Sequence, residues 1–333
     1  MIIAEIAQAH DGSLGNAHAF IDALADTGVD AVKFQTHIAE AESSALEPFR
    51  VKFSRQDPTR YDYWKRMEFS PEQWQGIANH CHEVGLKFIS SPFSNAAVDL
   101  LDRVGVDAIK IGSGEISNLL MLEKIAKTGK PIILSSGMSD LEELERTIDF
   151  LKTFPNPISV LQCTTAYPTS PEQWGLNVIG ILGEKFKIPI GFSDHSGNIY
   201  SCLAAAALGA EIFEFHVVFD RRQFGPDTAA SITIDQTKVL AQGIREIQRS
   251  IASPVKKSDI RKYDELKRIF GKSLAVNKDL KKGDVLRFED LESKKPGDQG
   301  ISAAAYRSVL GKSVIQDLKQ WDFLKPEHIH TGE

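Results

Sequence analysis

His195 and His216 follow two consecutive apolar runs, Ile188-Pro-Ile-Gly-Phe-Ser and Ala210-Glu-Ile-Phe-Glu-Phe. If these runs are neighbouring parallel strands roughly 4.8 Å apart, both imidazoles emerge at one rim and can share a divalent ion. Imidazole nitrogen suits Mn, Fe, Co or Zn, and two such ligands leave positions open for water and a substrate oxygen, the layout of a Lewis-acid site. A hydrogen-bonded histidine pair without metal is the alternative. Lys33 and Lys110 lie in or just after apolar strands, where an ammonium is costly unless it reaches an anion. With the hydroxyls of Ser91, Ser113, Ser136 and Ser193 they form a set of donors suited to phosphate and carboxylate oxygens. Glu5 closes the first apolar run and can act as base toward a water; the competing reading is a salt bridge to Lys33.

The elements that must position these groups are short and regular. The strand candidates are Ile2-Ile6, Asp30-Gln35, Lys87-Ser91, Ala108-Gly112, Pro131-Ser136, Ile158-Cys163, Ile188-Ser193 and Glu211-His216, apolar and rich in β-branched residues as strands covered on both faces require. Helix starts lie between them: Ser70-Pro71-Glu72-Gln73, Ser139-Asp-Leu-Glu142 and Ser170-Pro171-Glu172-Gln173 each place an N-cap hydroxyl three residues before a Glu or Gln. The alternation over the first 252 residues predicts an α/β fold, a (β/α)8 TIM barrel, whose chemistry sits at the carboxyl ends of the strands. No Gly-x-Gly-x-x-Gly follows the first strand, so the dinucleotide-binding alternative lacks its fingerprint.

Bulk properties limit the partners. A formal net charge of -6 argues against nucleic acid and anionic membranes, since counterion-release binding needs a concentrated basic surface. No membrane span and no signal peptide is expected, which makes the cytoplasm the default compartment. Cys81, Cys163 and Cys202 are read as buried or inert thiols, His80 and His82 as surface or packing residues, and His328 and His330 as solvated. Residues 253–268 read as a lysine-rich linker or exposed helix. In the 269–333 tail, Gly271-Lys-Ser-Leu-Ala-Val-Asn-Lys-Asp-Leu-Lys returns, two residues shorter, as Gly311-Lys-Ser-Val-Ile-Gln-Asp-Leu-Lys. That echo predicts a small, mostly β domain of pseudo-twofold character, which buries little core alone and needs another surface to lean on.

The stretches Ile3-Ala-Glu-Ile-Ala-Gln-Ala-His-Asp-Gly, Val32-Lys-Phe-Gln-Thr-His, Ser90-Ser-Pro-Phe, Ile109-Lys-Ile-Gly-Ser-Gly-Glu, Ile133-Leu-Ser-Ser-Gly-Met, Gln162-Cys-Thr-Thr-Ala-Tyr-Pro, Gly191-Phe-Ser-Asp-His, Glu214-Phe-His and Gly225-Pro-Asp resemble the sialic acid synthase family, the phosphoenolpyruvate-dependent nonulosonate synthases. Lys295-Pro-Gly and the Gly-Ile-Ser after it resemble that family's antifreeze-like (SAF, β-clip) module. The resemblance implies condensation of phosphoenolpyruvate with an N-acetylmannosamine-type aldehyde sugar to a nine-carbon 2-keto acid and phosphate, with C–O cleavage. It implies a divalent metal on His195 and His216, commonly manganese, with magnesium or cobalt as substitutes, and Glu5 steering the water. Phosphoenolpyruvate would be held by Lys33, Ser91, Lys110, Ser113, Ser136 and Ser193, and the sugar by Gln35, Tyr167, Asp227 and Lys295 of a partner subunit, because family members exchange the tail across a homodimer. Ser91 and Ser136 replace threonines and keep the hydroxyl. Thr165 stands where asparagine or serine is common, and Lys295 replaces an arginine whose fork a lysine does not reproduce. Both of these changes lie at the sugar end and point to an acceptor modified relative to N-acetylmannosamine, a dideoxy diamino sugar included. Competing readings are a synthase for a different 3-deoxy-2-ulosonic acid, a pyruvate-using metal-dependent aldolase, and a sugar-binding barrel without catalysis.

Overall fold

The computed structural model describes residues 1–330. Strands β1 (Ile2–Glu5), β2 (Ala31–Thr36), β3 (Lys87–Pro92), β4 (Ala108–Ile111), β5 (Ile132–Ser135), β6 (Ile158–Cys163), β7 (Ile190–Asp194) and β8 (Ile212–Val218) pair in chain order, all parallel. β1 also pairs with β8, with Glu5 opposite His216, and the sheet closes. Each strand lies within two residues of its predicted bounds. Helices α1 (Leu14–Ala25), α2 (Ala39–Glu42), α3 (Arg60–Met67), α4 (Pro71–Glu83), α5 (Asn95–Val104), α6 (Leu119–Lys127), α7 (Leu141–Leu151), α8 (Leu176–Phe186), α9 (Tyr200–Ala207) and α10 (Ile234–Ala252) complete the (β/α)8 barrel.

The period-2 geometry of each strand sorts its side chains. Ile2, Ala4, Val32, Phe34, Phe88, Ile109, Leu134, Phe192, Phe213 and Phe215 face outward into one large core shared with the helices. Ile3, Ala31, Ile89, Ala108, Ile133, Leu161 and Ile212 face inward and plug the barrel with an apolar layer. Two residues further along the same strands, on the same inward face, stand Glu5, Lys33, Ser91, Lys110, Ser135, Cys163 and Glu214. The plug closes one end, so this polar layer opens only toward the carboxyl ends.

The caps follow the sequence with two departures. Ser70 and Gln73 form the expected capping box of α4. For α7 the cap is Asp140, accepting from the Glu143 N–H, one residue later than the predicted Ser139. The Ser170–Gln173 box forms but starts only a short 3-10 turn, because Gly175 turns left-handed (φ 65°) before α8 begins. Between β2 and α4 the chain makes a long excursion containing α2 and α3, which the strand and helix assignments pass over. It has its own small core of Ala39, Tyr63, Trp64 and Met67, with Phe49, Phe53 and Tyr61 against it.

The chain divides into two compact units, the first ending at Ser253 and the second beginning at Pro254. The second unit carries α11 (Asp264–Phe270) and an antiparallel pair, β9 (Ser273–Val276) with β10 (Leu291–Lys294). Its core is Leu274, Val276, Leu280, Leu286, Val309, Val314, Leu318, Leu324 and Ile329. The sequence echo is realised in pairs. Leu280 bridges Leu318, Lys281 reaches Asp317 at 2.7 Å, and Lys319 reaches Asp279 at 2.9 Å. These reciprocal contacts give the unit its local pseudo-twofold relation.

Candidate active site

A cavity at the carboxyl ends of the strands is lined by Lys33, Gln35, Ser91, Lys110, Ser113, Tyr167, Ser193, His195, His216 and Asp227, most of the residues singled out from sequence. Three others sit elsewhere. Glu5 lies just behind the wall, accepting from Gln35 Nε2 at 3.1 Å and paired with Lys33. Ser136 has its hydroxyl turned to Gln162 Oε1 at 3.3 Å and borders a separate groove, while Ser135 faces the cavity in its place. Lys295 belongs to the second unit, its ammonium 5.1 Å from the Phe270 ring centre.

The lysines are buried among acceptors. Lys33 Nζ donates to Ser91 Oγ at 3.3 Å, and Lys110 Nζ to Ser135 Oγ at 2.5 Å and to the Ile111 carbonyl at 3.3 Å. Both approach one carboxylate oxygen, Glu214 Oε1, at 4.0 and 3.6 Å, and Ser193 Oγ donates to it at 3.2 Å. Burial works against the Lys33 ammonium, but the Glu214 and Glu5 carboxylates outweigh it and hold the group above its ordinary value. At Lys110 burial prevails over Glu214, Lys33 adds repulsion, and the group falls below its usual range. Burial pushes the Glu214 carboxyl up, yet Lys110 and Lys33 bring it down to about 2, so it stays ionised. Its other oxygen, Oε2, is buried without a hydrogen-bond partner among the described residues.

The imidazoles come together as their strands do. His195 follows β7, His216 lies in β8, and the ring centres are 5.3 Å apart. His195 Nδ1 donates to the Thr164 carbonyl at 2.8 Å, which turns Nε2 to other partners. Burial lowers the His195 basicity, but the Cys163 sulfur 3.9 Å from Nδ1 and the Thr164 carbonyl raise it to about 9. Burial brings His216 below its ordinary value, so its ring is neutral. Tyr167 stacks on His195 at 4.1 Å and stands edge-on to His216 at 5.9 Å. The outer wall comes from the excursion: the Arg50 guanidinium lies 4.1 Å over the Tyr167 ring and donates to Asp227 Oδ1 at 2.8 Å, and Arg60 packs 4.4 Å from Trp64.

Gln8, Arg50, Arg60, Tyr63, Trp64, Phe93 and Cys163 line the cavity without having been assigned a place there from sequence, and Thr165 lines it as its place at the sugar end requires. Cys163 is buried as expected, but in the cavity wall. Its inward parity with Leu161 was the available signal; the excursion residues offered none, since no periodicity ties them to the barrel. The other expectations of packing are met: His80 pairs with Asp22 at 2.9 Å, His82 with Asp107 at 2.9 Å, and Cys81 and Cys202 are buried.

A parallel barrel that gathers two lysines, two carboxylates and two imidazoles at its carboxyl end belongs to the (β/α)8 proteins with an ionisable site at the functional face. Residues 20–256 match the NeuB family, and the chain belongs to that family. It is 35% identical to the N,N'-diacetyllegionaminic acid synthase of Campylobacter jejuni, over 98% of this chain and 98% of that protein. It is 32% identical to the human N-acetylneuraminate-9-phosphate synthase, over 98% of this chain and 91% of the other. Among solved structures it resembles the N-acetylneuraminic acid synthetase of Leptospira borgpetersenii, with a TM-score of 0.70 and 30% identity, covering 80% of this chain and 89% of that one. No helix among the described residues is long and apolar enough to cross a membrane.

Proposed function

We propose that the protein condenses phosphoenolpyruvate with an N-acetylmannosamine-type aldehyde sugar to a nine-carbon 2-keto acid and inorganic phosphate. The observation that carries this reading is the convergence of Lys33 and Lys110 on the closed floor of a cavity whose mouth holds two imidazoles 5.3 Å apart. An anion bound on the lysines and the hydroxyls of Ser91, Ser113, Ser135 and Ser193 presents its enol carbon outward, toward a sugar between Gln35, Tyr167 and Asp227; Ser136 would act from behind Ser135. C3 of phosphoenolpyruvate forms the new bond to the aldehyde carbon as its C2–C3 double bond opens, and the aldehyde oxygen takes up one proton, balanced by the one that water loses in the next step. Water adds at C2 and gives a proton to Glu5, and the hemiketal phosphate then expels phosphate by C–O cleavage. Gln35 holds Glu5 Oε1 and Lys33 the other oxygen, so the base is fixed on both sides.

The donor set fits a labile divalent ion. Two imidazoles, one of them oriented by a backbone carbonyl, are a weak and open set, and no group of three or more His, Cys, Asp or Glu among the described residues is placed to cage an ion. His195 and His216 would hold manganese, or magnesium or cobalt in its place, and the ion would supply Lewis-acid polarisation of the aldehyde oxygen. Binding there displaces the His195 proton, so affinity rises with pH.

Thr165 and Lys295, together with the relative named for N,N'-diacetyllegionaminic acid, support an acceptor with two acetylated nitrogens. The tail reads as an antifreeze-like module, exchanged in a homodimer so that Lys295 reaches the partner's sugar site. Ile260, Tyr263, Leu266 and Ile269, spaced three apart and each more than 40% exposed, support a partner surface there. The experiment is phosphate release from phosphoenolpyruvate, with and without EDTA, across amino sugars bearing one or two acetamido groups. Release that requires a sugar, falls with EDTA and returns with manganese is expected; release without any sugar, or none with every sugar, overturns the reading.

A further inference from the structure

One line of hydrogen bonds runs from the β2–α4 excursion to Glu5. Glu42 Oε1 lies 2.6 Å from His37 Nδ1, and His37 Nε2 lies 2.9 Å from Gln8 Nε2. Gln8 Nε2 donates to Gln35 Oε1 at 2.6 Å, and Gln35 Nε2 donates to Glu5 Oε1 at 3.1 Å. Gln8, His37 and Glu5 are buried, and the Glu42 side chain is 5% exposed. Water therefore cannot easily replace a lost partner along this line.

The chemistry of the groups gives the line a fixed sense. A carboxylate only accepts, so Nδ1 carries the proton between Glu42 and His37, and Gln8 sets its NH2 group against Nε2, which accepts with its lone pair. Only the Gln8 N–H can meet that lone pair, and its second N–H then meets the Gln35 carbonyl. Gln35 is left with its NH2 toward Glu5. Reversing Gln8 would set carbonyl against carbonyl, and reversing Gln35 would set its carbonyl against the Glu5 carboxylate. The ring that starts this order is clamped: His37 lies between Trp64 at 3.9 Å and Phe93 at 4.7 Å, tilted from them by 15° and 6°.

We infer that His37, locked by Glu42 and acting through Gln8, is a positioning residue that sets the sense of the Gln35 amide and thereby the orientation of the Glu5 carboxylate. This rests on the condensation reading, in which Gln35 contacts the sugar and Glu5 takes the proton of water. The line meets the phosphoenolpyruvate cradle only at the Glu5–Lys33 pair, and Lys33 keeps Glu214 and Ser91 as further partners, which predicts a split between the two substrates. His37→Phe keeps the stack and removes both nitrogens; Gln8→Met leaves His37 and its stack in place and cuts the line one step later. For each, kcat falls at least tenfold and KM for the sugar rises several-fold, while KM for phosphoenolpyruvate stays within twofold and the melting temperature within a few degrees. The double variant is no worse than the worse single variant.

The experiment is steady-state kinetics of keto-acid formation by the full-length protein and these three variants, with thermal melts. Wild-type kcat and sugar KM in His37→Phe would overturn the inference, as would losses that multiply in the double variant or a matching rise in KM for phosphoenolpyruvate. Should His37→Phe not fold, Gln8→Met decides by the same two constants. Failure of the wild type to release phosphate with any sugar sinks the condensation reading itself, an outcome distinct from an active wild type with indifferent variants.

Discussion

At Gly137, just after β5, the backbone passes close to two cavity hydroxyls. A Cβ there would stand 2.5 Å from Thr165 Oγ1 and 2.7 Å from Ser113 Oγ, and the Gly137 N–H donates to that same Ser113 oxygen at 3.1 Å. Gly137→Ala should displace Ser113, raising KM for phosphoenolpyruvate about tenfold, with the ~1–3 kcal/mol folding cost typical of overpacking. Steady-state kinetics and urea unfolding measure the two; an unchanged KM would remove Ser113 from the cradle. His10 tests a different property. Burial, with His37 and Arg66 adding repulsion, lowers it to about 3. Between that value and its ordinary 6.5 the unfolded chain binds the extra proton, so stability is full above pH 6.5 and falls as pH drops toward 3. At pH 5 the loss from this one residue is about 2 kcal/mol, and the stability difference between pH 7 and pH 5 should shrink by about that much in His10→Asn. At this scale the sequence was legible wherever strand parity could be counted. Ile133 faces inward, so Ser135 does too, while Ser136, one residue along, has the opposite parity and borders a separate groove.

The barrel strands were readable because burial on both faces leaves a continuous apolar run, and their helices because capping residues mark the starts. The excursion between β2 and α4 was not, because what orders it is long-range. Arg66 grips Asp57 with a fork, Nε to Oδ1 at 2.9 Å and Nη2 to Oδ2 at 2.8 Å, and its third nitrogen donates to Asp11 Oδ1 at 2.6 Å, in the β1–α1 loop. Hydrogen bonds from Arg66 hold the Asp57 carboxyl below its usual range. Arg50 on Asp227 and the Phe53–Phe224 ring pair at 5.7 Å tie the other end to the β8–α10 loop. Nothing local in residues 37–69 foretells these partners. Since a lysine cannot supply the fork, Arg66→Lys should free the excursion while sparing the barrel. Limited trypsin digestion should cut at Arg50, Lys52 or Arg55 several-fold faster than in the wild type, with the urea midpoint nearly unchanged. Equal cleavage rates would show that the aromatic cluster, rather than Arg66, secures the segment.

For the whole molecule, the tail's internal echo was legible because a duplication is visible without structure: Asp279-Leu-Lys and Asp317-Leu-Lys bind each other reciprocally. A relation between two chains leaves no such trace. The exchanged homodimer therefore needs a test of its own, and mixing supplies one. His216→Ala damages the barrel and Lys295→Ala the tail; each alone should be inactive if both residues serve the site. If the tail completes the partner's barrel, each mixed dimer has one site with an intact barrel and an intact tail and one site with neither. Random exchange of equal amounts then restores about a quarter of wild-type activity, half the dimers being mixed with one working site apiece. If the tail serves its own barrel, no mixed dimer contains a complete site and nothing is restored. Co-purification of a tagged with an untagged subunit verifies that exchange has occurred, so silence after proven exchange would leave Lys295 acting within its own chain.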